Sequence, residues 1–153
     1  MAQALQDRYA PNNECFGCGP ANARGLRLKS RAENDALVAD WTPEPHHKAF
    51  EGVLNGGIAG ALLDCHSNWT AAWTLMRERG AETPPCTVTA EFHVKLRAPT
   101  PIDGPLQLEA KPVQVEGDRV VVEAKLSSGG KVTATCRGVF VAVREGHPAY
   151  HRW

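Results

Sequence analysis

One stretch of this chain carries a helical period, and nearly all the rest is written in the period of strands or in turn residues. Ile58, Leu62, Cys65, Trp69, Ala72, Trp73 and Met76 recur at spacings of three and four, the mark of an amphipathic helix. Beside that stripe runs a row of mostly small residues: Gly57, Gly60, Ala61, Asp64, Asn68 and Ala71. The helix starts at Gly56-Gly57 and ends near Gly80, where Arg77 and Arg79 suit a C-terminus. Asp64 stands about two turns in, on a flank where small neighbours let a backbone or a ligand approach.

After Pro84-Pro85 the period becomes two. Val88, Ala90, Phe92, Val94 and Leu96 point one way, and Thr87, Thr89, Glu91, His93, Lys95 and Arg97 the other. Turn residues at Pro99–Gly104, Glu116–Asp118 and Ser127–Gly130 separate three further strands, Leu106–Val115, Arg119–Leu126 and Val132–Val143. Pro112 marks a bulge or an edge position. Upstream, Leu26–Arg31 and Ala36–Trp41 read as two strands joined by a turn at Asn34-Asp35. Pro43 and Pro45 stop the sheet, and His46–Gly52 lead to the helix. This order predicts an α+β domain over residues 25–143, with a curved antiparallel sheet of five to six strands around one central helix. Residues 1–24 form a Gly/Cys-containing N-terminal extension read as a folded-down loop, and residues 144–153 form a tail without a readable pattern.

Composition narrows the function. Lys+Arg and Asp+Glu balance at 17 each over 153 residues, so bulk attraction for nucleic acid or a membrane surface is not expected. No apolar run approaches the roughly 20 residues that span a bilayer, and Met1–Pro11 has no apolar segment of a secretory signal. The five cysteines suggest no disulfide framework, and a cytoplasmic location is expected. Cys15-x-x-Cys18 lacks a second ligand pair, with Cys65, Cys86 and Cys136 isolated in helix and strand patterns. His46-His47 would complete a site only by a coincidence of folding. The two cysteines therefore read as small packing residues, and no metal is expected.

The element order, the run Gly52-Val-Leu-Asn-Gly-Gly57 with Asp64 seven residues on, and the later Leu96-Arg-Ala-Pro-Thr-Pro101 resemble the hotdog-fold acyl-CoA thioesterases, in particular their PaaI-like branch. The opening Cys15-Phe-Gly-Cys-Gly-Pro-Ala-Asn-Ala-Arg-Gly-Leu26 resembles the N-terminal segment of many members of that branch. The resemblance covers roughly residues 15–143. It implies a homo-oligomer, a dimer or a dimer of dimers, with sheets paired side by side and the active site at the subunit interface. It implies hydrolysis of an acyl-CoA to a free acid and CoA without metal or organic cofactor. Carried over, Gly57 supplies the backbone N–H that polarises the thioester carbonyl, Asp64 is the acidic residue, and Thr89 is a hydroxyl contributed by the partner subunit. Where the family carries histidine before Gly-Gly, this chain has Asn55, and the family's polar residue in the approach loop falls nearest to Ala49.

The chemistry is physically sound. A helix N-terminus offers unpaired N–H donors and positive potential to a developing oxyanion, and Gly56 and Gly57 let a carbonyl approach. Asp64 acts either as general base on water or as a nucleophile giving an anhydride. Asn55 is either an ordinary N-cap or a ligand contact. Thr89 either orients the water or carboxylate or is a solvated strand residue. Gly56, His47, Asn68 and Arg97 are candidate substrate contacts, Arg97 with Lys95 and His93 for the phosphates of CoA. For Ser67 and Asn68 a structural role is the simpler reading, as packing is for His66. Trp69, Trp73 and Phe92 are candidates for an acyl pocket. Two other readings share the fold, a non-catalytic acyl-CoA-binding domain and an acyl-CoA dehydratase; a Cys-x-x-Cys nucleic-acid module would require bound zinc.

Overall fold

A computed structural model describes residues 3–153. Its centre is α2, Gly56–Glu78, the helix expected from the 3.6-residue period. Against one side lies a six-stranded antiparallel sheet in the order β1-β2-β6-β7-β8-β5. Its strands are β1 (Arg31–Glu33), β2 (Ala36–Trp41), β5 (Thr87–Leu96), β6 (Leu106–Glu116), β7 (Arg119–Ser128) and β8 (Lys131–Ala142). The last three are successive hairpin partners. β3 (Lys48–Phe50) and β4 (Val53–Leu54) make a separate small hairpin before the helix. No helix among the described residues is long and apolar enough to cross a membrane.

The helix is buried on more than the expected stripe. Leu63, His66, Ser67 and Thr70 are enclosed together with Leu62, Trp69 and Trp73. The sheet covers one side, and the N-terminal segment contributes the remaining cover. Leu5, Ala10, Cys18, Leu26 and Leu28 join the same apolar core. Residues 3–30 therefore do more than fold down as a loop: they include a short helix α1, Leu5–Tyr9, which the polar sequence around it concealed. A buried polar chain fastens it. Gln6 Nε2 donates to Ser30 Oγ at 3.0 Å, and Ser30 Oγ lies 2.8 Å from His66 Nδ1. His66 Nε2 donates to the Leu37 carbonyl at 2.9 Å, which leaves Nδ1 as the acceptor for the Ser30 hydroxyl. Burial pushes the His66 imidazole down to about 4, so it is a neutral packing residue.

Two strand expectations need correction. Leu26–Arg31 is not a strand: Arg27 adopts φ 53°, and the Leu26 and Leu28 amides donate to the Phe16 and Gly17 carbonyls of the preceding loop. Only Arg31–Glu33 pairs with β2, across the expected Asn34-Asp35 turn. The uninterrupted alternation in β5 also fails, because its pairing with β8 slips between Thr89 and Glu91. Thr87 lies opposite Ala142 before the slip, and Val94 lies opposite Cys136 after it, all against the core. The bulge thus brings Thr87 and Thr89 onto the same face as Val94. The irregularity expected at Pro112 is present, with the register of β6 on β7 shifting between Pro112 and Gln114.

Candidate functional site

The start of α2 is built from a chain reversal. His47 closes a 3-10 turn, its Nδ1 accepting from the Glu44 amide at 2.9 Å and its ring resting 5.2 Å from Trp41. The His47 carbonyl then accepts from the Asn55 amide at 2.9 Å, which fixes where the helix begins. Asn55 is the N-cap, with Oδ1 accepting from Ile58 N at 3.1 Å. That geometry gives Asn55 the capping role, one of its two sequence readings. The Gly56 and Gly57 amides precede the first in-helix bond and have no partner among the described residues. A Cβ at Gly57 would come within 2.9 Å of Asn55 Oδ1, and one at Gly56 within 2.9 Å of Leu96 Cδ1. Glycine therefore keeps this end open and lets it sit against the end of β5.

Two turns on, Asp64 is half-buried and accepts a hydrogen bond from Thr89 Oγ1 at 2.6 Å. Both residues belong to the same chain, so Thr89 would join a neighbouring subunit's helix start only together with its own Asp64. The β5 bulge turns Thr89 toward its own helix. Burial lifts the Asp64 carboxyl above its ordinary value. The Thr89 hydrogen bond pulls it back, while Cys15 nearby raises it and Arg152 lowers it. Arg152 comes from the tail in which sequence reading found no pattern. Its Nη2 donates to the Thr87 carbonyl at 2.8 Å, and neighbouring Trp153 stacks on Trp69 with ring centroids 4.2 Å apart.

The remaining candidates are dispersed. Asn68 Nδ2 donates to the Thr87 carbonyl at 3.2 Å, and Thr87 Oγ1 donates back to the Asn68 carbonyl, so this amide ties helix to sheet. Arg97 is exposed and donates from Nε to Thr135 Oγ1 at 3.2 Å. Neither Arg97 nor His47 has a hydrogen bond to Asp64 among the described residues. Trp69 and Trp73 are core residues, 1% and 7% exposed, and Phe92 is 41% exposed on the edge strand. Cys65, read from sequence as isolated, meets Cys15 and Cys18. A groove of about 690 Å³ lies elsewhere, between Arg79, Pro84, Cys86, Asp118 and Tyr150, and neither Asp64 nor Gly57 lines it.

Comparison with known proteins agrees with this architecture. The family model described as thioesterase superfamily matches residues 51–135, more than half of the chain. A thioesterase superfamily protein from Shewanella loihica is 30% identical, with 82% of this chain and 98% of that one covered and a TM-score of 0.68. A thioesterase from Haemophilus influenzae shares the fold at 16% identity, covering 96% and 97% of the two chains with a TM-score of 0.71. A phenylacetic acid degradation-related protein from Ralstonia eutropha does so at 23% identity, covering 82% and 92% with a TM-score of 0.65. No curated protein matches significantly.

Proposed function

The chain belongs to the thioesterase superfamily, and from that premise we propose that it hydrolyses acyl-CoA thioesters as a dimer, with Asp64 as the base and a glycine amide of α2 as the oxyanion donor. The observation that carries this reading is the Asp64 carboxylate, half-buried on the helix flank and held at 2.6 Å by the Thr89 hydroxyl. A carboxylate so placed can take a proton from water, and Thr89 fixes which oxygen points outward. Asp64 as a nucleophile would require its free oxygen in line with the carbonyl carbon, a tighter demand than accepting a proton.

The separation of the two groups supports a dimer. Gly57 and Asp64 are seven residues apart, about 10 Å along the axis. Helix N–H groups point toward the N-terminus, so a carbonyl oxygen held by Gly57 lies on the side away from its own Asp64. This separation favours one thioester meeting the Gly57 amide of one chain and the Asp64 of another. β5 is a sheet edge with Phe92 and Leu96 exposed at 41% and 60%, an apolar edge that invites pairing. Antiparallel pairing of β5 with a second copy about an axis near Phe92 would set the Leu96 end of one chain beside the Thr89 end of the other. Gly56 neighbours Leu96, and Asp64 neighbours Thr89, so each helix start would meet the second copy's carboxylate.

Thiol release from a panel of acyl-CoAs of differing chain length and aromaticity tests the proposal. Turnover of at least one thioester is expected. Tight acyl-CoA binding without thiol release would instead select the binding-domain reading.

A further inference from the structure

The structure assigns a second site, unrelated to the hydrolytic one in its chemistry: we propose that Cys15, Cys18 and Cys65 form a three-thiolate site for a thiophilic metal ion of the zinc class. The three Sγ atoms all lie within 4.8 Å of one another, and Cys15 and Cys65 are 3.8 Å apart. A tetrahedral ion with Zn–S bonds of about 2.3 Å separates its sulfurs by about 3.8 Å, so the cluster is close to ligating dimensions without rearrangement.

The loop is folded to bring the sulfurs together: the Gly19 amide donates to the Cys15 carbonyl at 2.8 Å, and the Cys15 amide donates to Asn13 Oδ1 at 3.1 Å. Gly17 is required there, since a Cβ at this position would sit 2.3 Å from Cys65 Sγ. The independent observation is Trp69. Its indole is 1% exposed, Nε1 has no hydrogen-bond partner among the described residues, and Cys18 is one of its neighbours. A buried N–H without a partner is costly, and a metal-bound thiolate at Cys18 would give it an acceptor.

Zinc binding would release up to three thiol protons to the buffer, and three thiolates leave one coordination position for water or an anion. The ion would clamp the residue 15–19 loop to α2 one residue past Asp64. This role does not depend on the catalytic reading. A disulfide would use only two of the three sulfurs and would have to close the Cys15–Cys65 gap to about 2.05 Å.

The test uses the full chain, reduced and stripped of metal, then titrated with zinc and separately with cobalt(II). About one zinc per chain, a thiolate-to-cobalt charge-transfer band and a rise in Tm with added zinc are expected. Cys15→Ser should weaken zinc binding by at least about tenfold and abolish the band, while Cys86→Ser changes neither. Should Cys15→Ser misfold, alkylation of the wild type decides: bound zinc should protect three thiols and leave the Cys86 rate unchanged. Absence of metal uptake by the reduced protein, uptake unaffected by Cys15→Ser, or equal alkylation rates with and without zinc would each overturn the assignment.

Discussion

Replacing Gly57 by proline removes one N–H from the start of α2 while keeping a backbone that a first helical turn tolerates. The added ring carbon would lie where a Cβ comes within 2.9 Å of Asn55 Oδ1, so the cap must swing aside. A lost N-cap costs about 1 kcal/mol, well short of unfolding a domain of this size. If the Gly57 amide holds the oxyanion, kcat falls by about a hundredfold or more. Asp64→Asn, nearly isosteric, removes the base. The axial separation of about 10 Å predicts that these two damaged chains repair each other. In a mixed dimer, one site joins the intact helix start of the Asp64→Asn chain to the intact carboxylate of the Gly57→Pro chain. Random reassociation makes about half of the dimers mixed, with one good site of two, so activity should recover to about one quarter of wild type. The assay is thiol release after co-refolding equal amounts of the two variants, with each alone as a control. Activity no greater than the average of the parents would refute the shared site. Gly56→Pro in place of Gly57→Pro then tells which of the two amides is the donor.

Other consequences follow from single contacts. Thr89→Val strips the Asp64 carboxylate of a hydrogen bond of a kind worth about 1.5–3 kcal/mol, so kcat should fall about 10–100-fold, with Thr89→Ser restoring most of it. Ser30→Ala leaves buried Gln6 Nε2 and His66 Nδ1 without a partner. The expected loss is about 1–3 kcal/mol, read as a Tm lowered by about 2–4 °C per kcal/mol in calorimetry. Burial holds the His47 imidazole below its ordinary value, with the His46 charge adding to the effect and Glu44 opposing it. The unfolded chain therefore binds more protons at this group, and stability should fall as pH drops below about 6.5 toward the folded value. Urea unfolding across that window should show the slope; buried His66, held down to about 4, contributes in the same direction, so His47→Gln should reduce the slope without abolishing it.

How much of this was legible in the sequence depends on the range of the interaction. The helix, the meander and the carboxylate on its small-residue flank are written in local periodicity, and they stand where that periodicity puts them. Strict alternation puts Thr89 on the face opposite Val94, because a bulge is a pairing event with β8 that β5 alone does not encode. Asn55 carried two readings until the Ile58 amide bound its side chain. The thiol cluster was invisible because Cys65 sits inside a good helical stripe and meets Cys15 only through the folded chain. Arg152 and Trp153 lie in a segment without periodicity, and only packing on Thr87 and Trp69 gives them a place.

Steady-state thiol release by Asp64→Asn, on whichever acyl-CoA the wild type turns over best, bears most directly on the central claim. With the fold verified by an unchanged far-ultraviolet spectrum, loss of a general base predicts kcat lower by about 10²–10⁴-fold with KM little altered. A variant that matches the wild type, or a wild type that releases no thiol from any acyl-CoA, would contradict it.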